Sequence, residues 1–201
     1  QIGDVAKAMG VAKGTLYLYV ESKEALFDLA LRHADRDRPE PPLPVPTPAA
    51  GATIAYVRER LAESARFDAL REAEGRATPR DMGDELRAVV DEVYEALAGN
   101  RTAIKLIGTS ALDLPELGEL WYRRARGALN ERLAAWIARR AAEGHLRAVP
   151  DPVAAARFVT ETASWFAVHR FWDPFPDDID EAAGRETVRT VIARALLPEA
   201  P

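Results

Sequence analysis

Apolar positions recur at intervals of three and four residues along most of the chain, a pattern that predicts amphipathic helices rather than strands. Beyond the first quarter of the chain, the predicted helices cover residues 50–75, 82–98, 101–112, 115–143, 151–171 and 179–197. The most regular apolar stripe consists of Leu117, Leu120, Trp121, Ala125, Leu129, Leu133, Trp136 and Ile137. Alanine, a strong helix former, provides 38 of the 201 residues and agrees with this pattern. We therefore predict an all-α fold.

A proline-rich segment interrupts the helical pattern, with six of the fourteen prolines lying in residues 39–48. Proline fixes φ and lacks an N–H donor, so this segment is expected to be extended and non-helical. Its PxxP spacings also fit an SH3-like partner, but we interpret the segment as a linker and a tolerated insertion. The predicted parts are an N-terminal domain with its connecting helix (1–38), the linker (39–48) and a larger helical domain (49–201).

Two short helices separated by a glycine are predicted at the N-terminal end. The inner face of the first helix is expected to consist of Ile2, Val5, Ala6 and Met9. Gly10 can adopt positive φ and end this helix, and Val11 is expected to fill the turn. Leu16 and Val20 then form the inner face of the second helix. A helix, a glycine-containing turn and a helix within about twenty residues form a helix-turn-helix, whose second helix can enter the major groove of DNA.

The outward residues of this segment suit contact with DNA. The hydrogen-bonding side chains expected on the exposed side of the second helix are Lys13, Thr15, Tyr17 and Tyr19. Gly14 allows the backbone to approach DNA closely. Ser22 is suited to cap the next helix, where Lys23 lies beside backbone N–H groups that favour a phosphate.

The sequence from Gly10 to Leu26 reads GVAKGTLYLYVESKEAL and closely resembles the DNA-binding signature of TetR/AcrR-family transcriptional regulators. The resemblance implies a homodimer with an N-terminal three-helix DNA-binding domain and a C-terminal helical domain that binds a small molecule and dimerises. By this resemblance Lys13, Thr15 and Tyr17 contact bases and backbone, while Tyr19 and Lys23 grip phosphates. The full set of DNA-binding residues that it implies is Lys13, Gly14, Thr15, Tyr17, Leu18, Tyr19 and Lys23.

The segment departs from the family pattern in three respects. Ala12 occupies a position where the family often has a Ser or Thr helix cap, which weakens the start of the second helix by about 1 kcal/mol. Val20 replaces a common Phe. The family's first helix and its basic arm are expected to precede Gln1.

Beyond residue 49 the resemblance is one of architecture, and the expected effector site lies between helices. The aromatic residues proposed to line it are Phe67, Tyr94, Trp121 and Phe166. For any one of them a place in the core is the more common explanation, because any helical body buries some aromatic residues. Arg101, Arg124 and His169 are candidate polar contacts. The expected effector is therefore apolar or amphipathic.

The resemblance also implies that the last two helices pair across a dimer axis. The interface residues expected on the first of these helices are Phe158, Thr162, Trp165 and His169. Those expected on the second helix are Val188, Val191, Ile192 and Ala195.

Charge becomes informative only when it is divided along the chain. The net charge of −5 and the pI of about 5.4 argue against nonspecific binding of nucleic acid. However, residues 1–38 hold six basic and six acidic side chains, whereas the remainder holds twenty-one and twenty-six. Three of the four lysines, Lys7, Lys13 and Lys23, lie in the N-terminal part. The acidic excess therefore belongs to the larger domain.

Several classes of protein are disfavoured by what the sequence does not contain. It has no cysteine, no apolar run of about 20 residues that could span a membrane, and no P-loop, Rossmann or nucleophile-elbow motif. The acidic residues near Asp177 fit a solvated loop better than a Ca2+ site. We expect no catalysis, no metal, no cofactor and no membrane association, and a cytoplasmic protein that joins the nucleoid when bound to DNA.

The predicted function is that of a ligand-responsive transcriptional regulator, most simply a repressor, which binds a palindromic operator as a homodimer. A small apolar or amphipathic effector releases it by favouring a different arrangement of the two DNA-binding domains. The helix over 23–35 is the natural lever. The alternative is a small-molecule-binding helical dimer without specific DNA recognition.

Overall fold

The computed structural model describes residues 2–199, and these residues fold as helices and connecting turns with no β-strand among them. The predicted all-α class is therefore confirmed. The chain divides into two compact units, an N-terminal unit that ends at Glu59 and a C-terminal unit that begins at Arg60. None of the helices in the described range is long and apolar enough to cross a membrane.

The N-terminal unit contains α1 (Ile2–Ala8), α2 (Lys13–Leu16), α3 (Lys23–His33) and the first part of α4 (Ala52–Ser64). The turn after α1 is closed as predicted at Gly10, which has a φ of +69°. The N–H of Gly10 donates to the Lys7 carbonyl at 3.1 Å, and that of Val11 donates to the Ala6 carbonyl at 3.0 Å. This is the Schellman arrangement, and it satisfies carbonyl groups that the helix end leaves unpaired.

The inner face of α1 is smaller than predicted. Ile2 and Ala6 are buried against Leu16, whereas Val5, Met9 and Val11 are 38%, 60% and 36% exposed. The expectation that these three residues are internal was wrong. Since α1 ends at Ala8, its seven residues present a single pair, four positions apart, to the core, and Met9 falls in the turn.

The second helix is also shorter than predicted. It ends at Leu16, and the following N–H groups of Leu18 and Tyr19 donate to carbonyls three residues earlier, at 3.1 and 2.9 Å. Ala12 provides no side-chain cap, because its methyl group cannot accept a hydrogen bond. Leu16 and Val20 are both buried, at 3% and 1% exposure, which confirms the predicted inner residues.

The proline-rich segment, residues 39–48, contains no helix, as predicted, but it is attached to the rest of the N-terminal unit through Val45. Its Val45 forms a parallel bridge with Val20 and is only 8% exposed. It packs in a small cluster with Val20, Ala25, Leu26 and Leu29. The structure therefore places this segment within the N-terminal unit rather than between the two units.

The C-terminal unit is a helical bundle whose core is formed mainly by α6, α9, α10 and α11, with α5 packed against it. Its helices are α5 (Asp68–Gly75), α6 (Met82–Ala98), α7 (Arg101–Ser110), α8 (Pro115–Gly118), α9 (Arg126–Ala142), α10 (Pro152–Ala167) and α11 (Glu181–Leu196). A π-helical segment, Glu119–Ala125, joins α8 to α9, and a 3-10 turn, His169–Trp172, follows α10.

The predicted helix over 50–75 is divided in two, which the sequence did not indicate. Phe67 adopts a φ of +41° and separates α4 from α5. The start of α5 is capped from a distant helix, because the carboxylate of Glu92 on α6 accepts from the N–H groups of Ala69 and Leu70 at 3.0 and 3.1 Å. A cap supplied by tertiary structure leaves no signal in the local sequence.

A buried guanidinium ties α9 to α5 and α6. Arg140 has no exposed surface, and its Nε donates to Glu85 Oε1 at 2.9 Å, which also accepts from Trp136 Nε1 at 3.1 Å. Its remaining nitrogens donate to the carbonyls of Ala73, Arg76 and Ala77 and to Glu143. The hydrogen bond from Arg140 lowers the pKa of Glu143 below its ordinary value. The Arg140 side chain thus satisfies carbonyl groups at the C-terminal end of α5. It also balances the charge of the Glu85 carboxylate, a residue that is only 7% exposed.

We predict that Arg140→Met lowers the free energy of unfolding by about 3–5 kcal/mol, because Glu85 would then be buried without its partner. Equilibrium unfolding in urea measures this loss. Arg71→Met is the control, since the Arg71–Asp68 pair is exposed and screened by solvent, so its loss should change the free energy of unfolding far less. The additional change Glu85→Leu should restore part of the stability, and equal losses in the single and double variants would contradict this account.

Candidate nucleic-acid interface

The residues predicted to contact DNA lie on the exposed side of α2, the turn that follows it and the start of α3. Tyr17, Leu18 and Tyr19 are 45%, 70% and 50% exposed. The other exposed members of the set are Lys13, Gly14 and Lys23, and Thr15 is half-buried. Because Leu16 and Val20 anchor the same stretch of backbone from inside, the exposed side chains are held on one continuous surface.

The start of α3 has the geometry expected of a phosphate-binding helix end. Ser22 has an extended backbone, and its Oγ accepts from the N–H of Ala25 at 3.0 Å, which confirms the predicted N-cap. Lys23 is the first residue of this eleven-residue helix and is exposed. The Lys23 ammonium group and the positive end of the helix dipole therefore both attract an anion at the start of α3.

Gly14 has no structural requirement for glycine within the chain. A Cβ built at this position would meet nothing within 4 Å, and its φ is not in the left-handed region. Glycine in a helix is about 1 kcal/mol less favourable than alanine. A glycine on an exposed helix, without an internal reason, fits a place where another molecule approaches the backbone closely.

Comparison with known families agrees with this geometry. Residues 1–30 match the model described as bacterial regulatory proteins of the tetR family. Residues 86–196, more than half of the chain, match the model described as the C-terminal domain of AefR-like transcriptional repressors. The chain belongs to the TetR family of transcriptional regulators. Members of this family are DNA-binding transcription factors rather than enzymes, which confirms the expectation of a non-enzymatic protein.

Solved structures of TetR-family regulators share the fold at low sequence identity. A protein from Rhodococcus sp. is 19% identical, with a TM-score of 0.50, over 97% of this chain and 86% of that one. A protein from Mesorhizobium loti is 16% identical, with a TM-score of 0.52, over 98% and 87%. The ketosteroid transcriptional regulator KstR2 of Mycobacterium tuberculosis is 15% identical, with a TM-score of 0.54, over 99% and 85%. Curated proteins gave no match in sequence.

The four aromatic residues predicted to line an effector site all belong to the core of the C-terminal unit. Tyr94 is 3% exposed, and Phe67, Trp121 and Phe166 are partly buried against the same cluster. The hydroxyl of Tyr94 is buried and has no hydrogen-bond partner among the described residues. Burial raises the pKa of this hydroxyl, with a further rise from Glu181. The structure thus brings the four residues to one core.

The candidate polar contacts lie elsewhere. Arg101 donates to the carbonyl of Ala167 and pairs with Glu181 at 2.6 Å, while Arg124 is exposed. His169 is exposed, with its Nε2 3.1 Å from Ser164 Oγ. A groove of about 460 Å³ lies at the end of α11 and is lined by charged residues, including Arg87, Arg147, Arg189 and Arg194. None of the four aromatic residues lines this groove.

The predicted dimer residues divide into an exposed set and a buried pair. Phe158, Trp165 and Val191 are 53%, 37% and 49% exposed. His169 and Ala195 are also exposed, and Thr162 is half-buried. By contrast, Val188 and Ile192 are 1% and 0% exposed and pack inside the core of their own chain. Their assignment to a partner-facing surface was wrong, because the inward face of α11 passes through these two positions.

The sequence interpretation missed Val45 and Thr47, which contact the turn between α2 and α3. The N–H of Thr47 donates to Glu21 Oε2 at 2.8 Å, and its Oγ1 donates to Ser22 Oγ at 2.8 Å. A β-branched residue on either side of Pro46 is a weak strand-like signal. The six prolines of residues 39–48 dominate the sequence pattern and obscure that signal.

We predict that Gly14→Ala weakens DNA binding while leaving the fold as stable as before, or up to about 1 kcal/mol more stable, because alanine favours the helix. Fluorescence anisotropy with an operator duplex and thermal unfolding measure the two effects separately. Gly3→Ala is the matched control, since a Cβ at that α1 position also meets nothing within 4 Å. Unchanged DNA affinity for Gly14→Ala would show that no close approach occurs there.

Proposed function

We propose that this TetR-family chain is a ligand-responsive transcriptional repressor that acts in the cytoplasm. It binds a palindromic operator as a homodimer and is released by a small apolar or amphipathic effector. The observation that carries the proposal is the exposed surface of α2 and the start of α3, where Lys13, Gly14, Tyr17, Tyr19 and Lys23 lie on a buried scaffold. Chromosomal DNA in the nucleoid is the proposed macromolecular partner.

The predicted lever, residues 23–35, has contacts that support its role within the N-terminal unit. Asp28 on α3 is 8% exposed and accepts from Arg32 Nε at 2.6 Å and from Thr53 Oγ1 on α4 at 2.8 Å. The ring of Tyr56 on α4 lies beneath the guanidinium of Arg32, 4.5 Å from the ring centroid. Since α4 continues past the boundary at Glu59 into the C-terminal unit, a change in α4 can reach α3 through these contacts.

The proposed effector site uses Phe67, Tyr94, Trp121 and Phe166. Their apolar rings favour an apolar or amphipathic molecule, and the unpartnered hydroxyl of Tyr94 offers one hydrogen bond to it. An effector that binds better to the DNA-free arrangement lowers operator affinity by the difference between its two binding free energies. The two DNA-binding units of a dimer must lie about 34–36 Å apart to enter successive major grooves.

The proposed homodimer forms through the exposed faces of α10 and α11. Phe158, Thr162 and Trp165 follow one another at steps of four and three residues, which places them on one side of α10. Val191 and Ala195 are four residues apart on α11. Large apolar side chains on a contiguous exposed face are typical of a surface that is covered by a partner.

Binding to duplexes taken from the DNA around the chain's own coding region tests the proposal. A repressor should bind one of them far more tightly than unrelated DNA, with an affinity that falls steeply as salt rises. A protein that bound a small molecule and dimerised, but showed no preferred duplex, would support the alternative of a helical dimer without DNA recognition.

We predict that Lys13→Ala and Lys23→Ala weaken binding in different ways. Lys13 is expected to contact a base, so its loss should cost about 1–3 kcal/mol on the preferred site and relax the sequence preference. Lys23 is expected to contact a phosphate, so its loss should weaken all sites similarly and reduce the salt slope by about 1. Competition titrations against a set of operator variants measure both. Equal, sequence-independent losses would contradict the division.

We predict that Phe158→Glu converts the dimer to a monomer and thereby lowers operator affinity at least tenfold, because a charge would be buried in the interface. Sedimentation velocity measures the first effect and anisotropy the second. Leu112→Glu is the control, since Leu112 is 92% exposed and lies outside the proposed interface. A Phe158→Glu protein that remained dimeric would exclude this face of α10.

A further inference from the structure

The proline-rich segment is paired with the backbone at the end of the DNA-binding surface. The N–H of Val45 donates to the Tyr19 carbonyl at 2.8 Å, and the Val45 carbonyl accepts from the N–H of Glu21 at 3.0 Å. The two bonds flank Val20 on either side, and the Val45 side chain closes the cluster beneath it. Residues 19–21 are therefore fixed from a segment that is about 25 positions later in the chain.

Thr47 extends this pairing to the cap of α3. Its hydroxyl donates to Ser22 Oγ at 2.8 Å, and Ser22 Oγ in turn accepts from the N–H of Ala25. Its backbone N–H holds the Glu21 carboxylate at 2.8 Å. The carboxylate of Glu21, which lies between the two proposed phosphate contacts Tyr19 and Lys23 in the sequence, is thus exposed but hydrogen-bonded within its own chain.

We infer that Val45 and Thr47 are positioning residues for the DNA-backbone contacts made by Tyr19 and Lys23. This inference rests on the proposed function. The two candidate phosphate contacts flank a short turn, and the segment fixes the backbone of that turn on one side and the cap of α3 on the other. A turn that is ordered before DNA arrives loses less conformational entropy on binding, so its contacts contribute more to affinity.

The test compares operator affinity, measured by anisotropy, for wild type, Thr47→Val, Thr47→Ser and Val45→Ala. Thr47→Val keeps the shape of the side chain but loses the hydroxyl, and should weaken binding by about three- to tenfold. Thr47→Ser retains the hydroxyl and should bind like wild type. Leu43→Ala is the control within the same segment, because Leu43 is 59% exposed. Thermal unfolding of each variant verifies the fold.

A double-mutant cycle with Lys23→Ala separates positioning from general stability. If Thr47 acts through Lys23, then Thr47→Val should cost little affinity in a protein that already carries Lys23→Ala. In the wild-type background, Thr47→Val should make the salt dependence of binding shallower, as is also expected of Lys23→Ala. Full additivity of the two losses, or an equal loss with Thr47→Ser, would overturn the inference. Since Thr47 is exposed, its variants test the inference even if Val45→Ala does not fold.

The two proposals fail in different ways. If wild type bound no duplex with preference, the proposed function would fall and this inference with it. If wild type bound its operator and Thr47→Val and Val45→Ala bound equally well, only the positioning role would be refuted.

Discussion

The C-terminal unit depends on a guanidinium that is wholly removed from water. A buried charge is tolerated only when its N–H groups find acceptors, and Arg140 finds them in the carboxylates of Glu85 and Glu143 and in the carbonyls at the exit of α5. Because those acceptors come from separate elements, the arginine fixes how α5, α6 and α9 meet. The apolar core of α6, α9, α10 and α11 therefore forms beside a hydrogen-bond network around Arg140, whose directional contacts define the geometry more closely than apolar packing alone.

The sequence was a reliable guide wherever the deciding interaction was local. The bounds of α6, the glycine-closed turn at Gly10 and the cap at Ser22 all follow from side chains within a few residues of the feature. The exposed α2 surface could be predicted for the same reason, because Leu16 and Val20 set which side faces inward. The resemblance to the TetR family then indicated that this surface binds DNA, which the periodicity of apolar residues alone does not indicate.

Errors arose where a distant residue decided the outcome. Glu92 caps α5 across the bundle, so the break at Phe67 has no local signature. The inward positions Val188 and Ile192 were assigned to a partner because an apolar stripe does not say whether it meets its own chain or another. The fixing of the α2–α3 turn by Val45 is of the same kind, since the pairing spans 25 residues.

That pairing has a consequence for how the regulator is made. The α2–α3 turn is complete only after Thr47 has been synthesised, and Asp28 meets Thr53 later still. At about 5–20 residues per second the nascent chain therefore carries an unfinished DNA-binding surface for one or more seconds. A minimal fragment that ended at His33 would carry every proposed DNA contact and still lack the structure that orders them. Transplanting this recognition element into another regulator requires the chain through Glu59, where the compact unit ends.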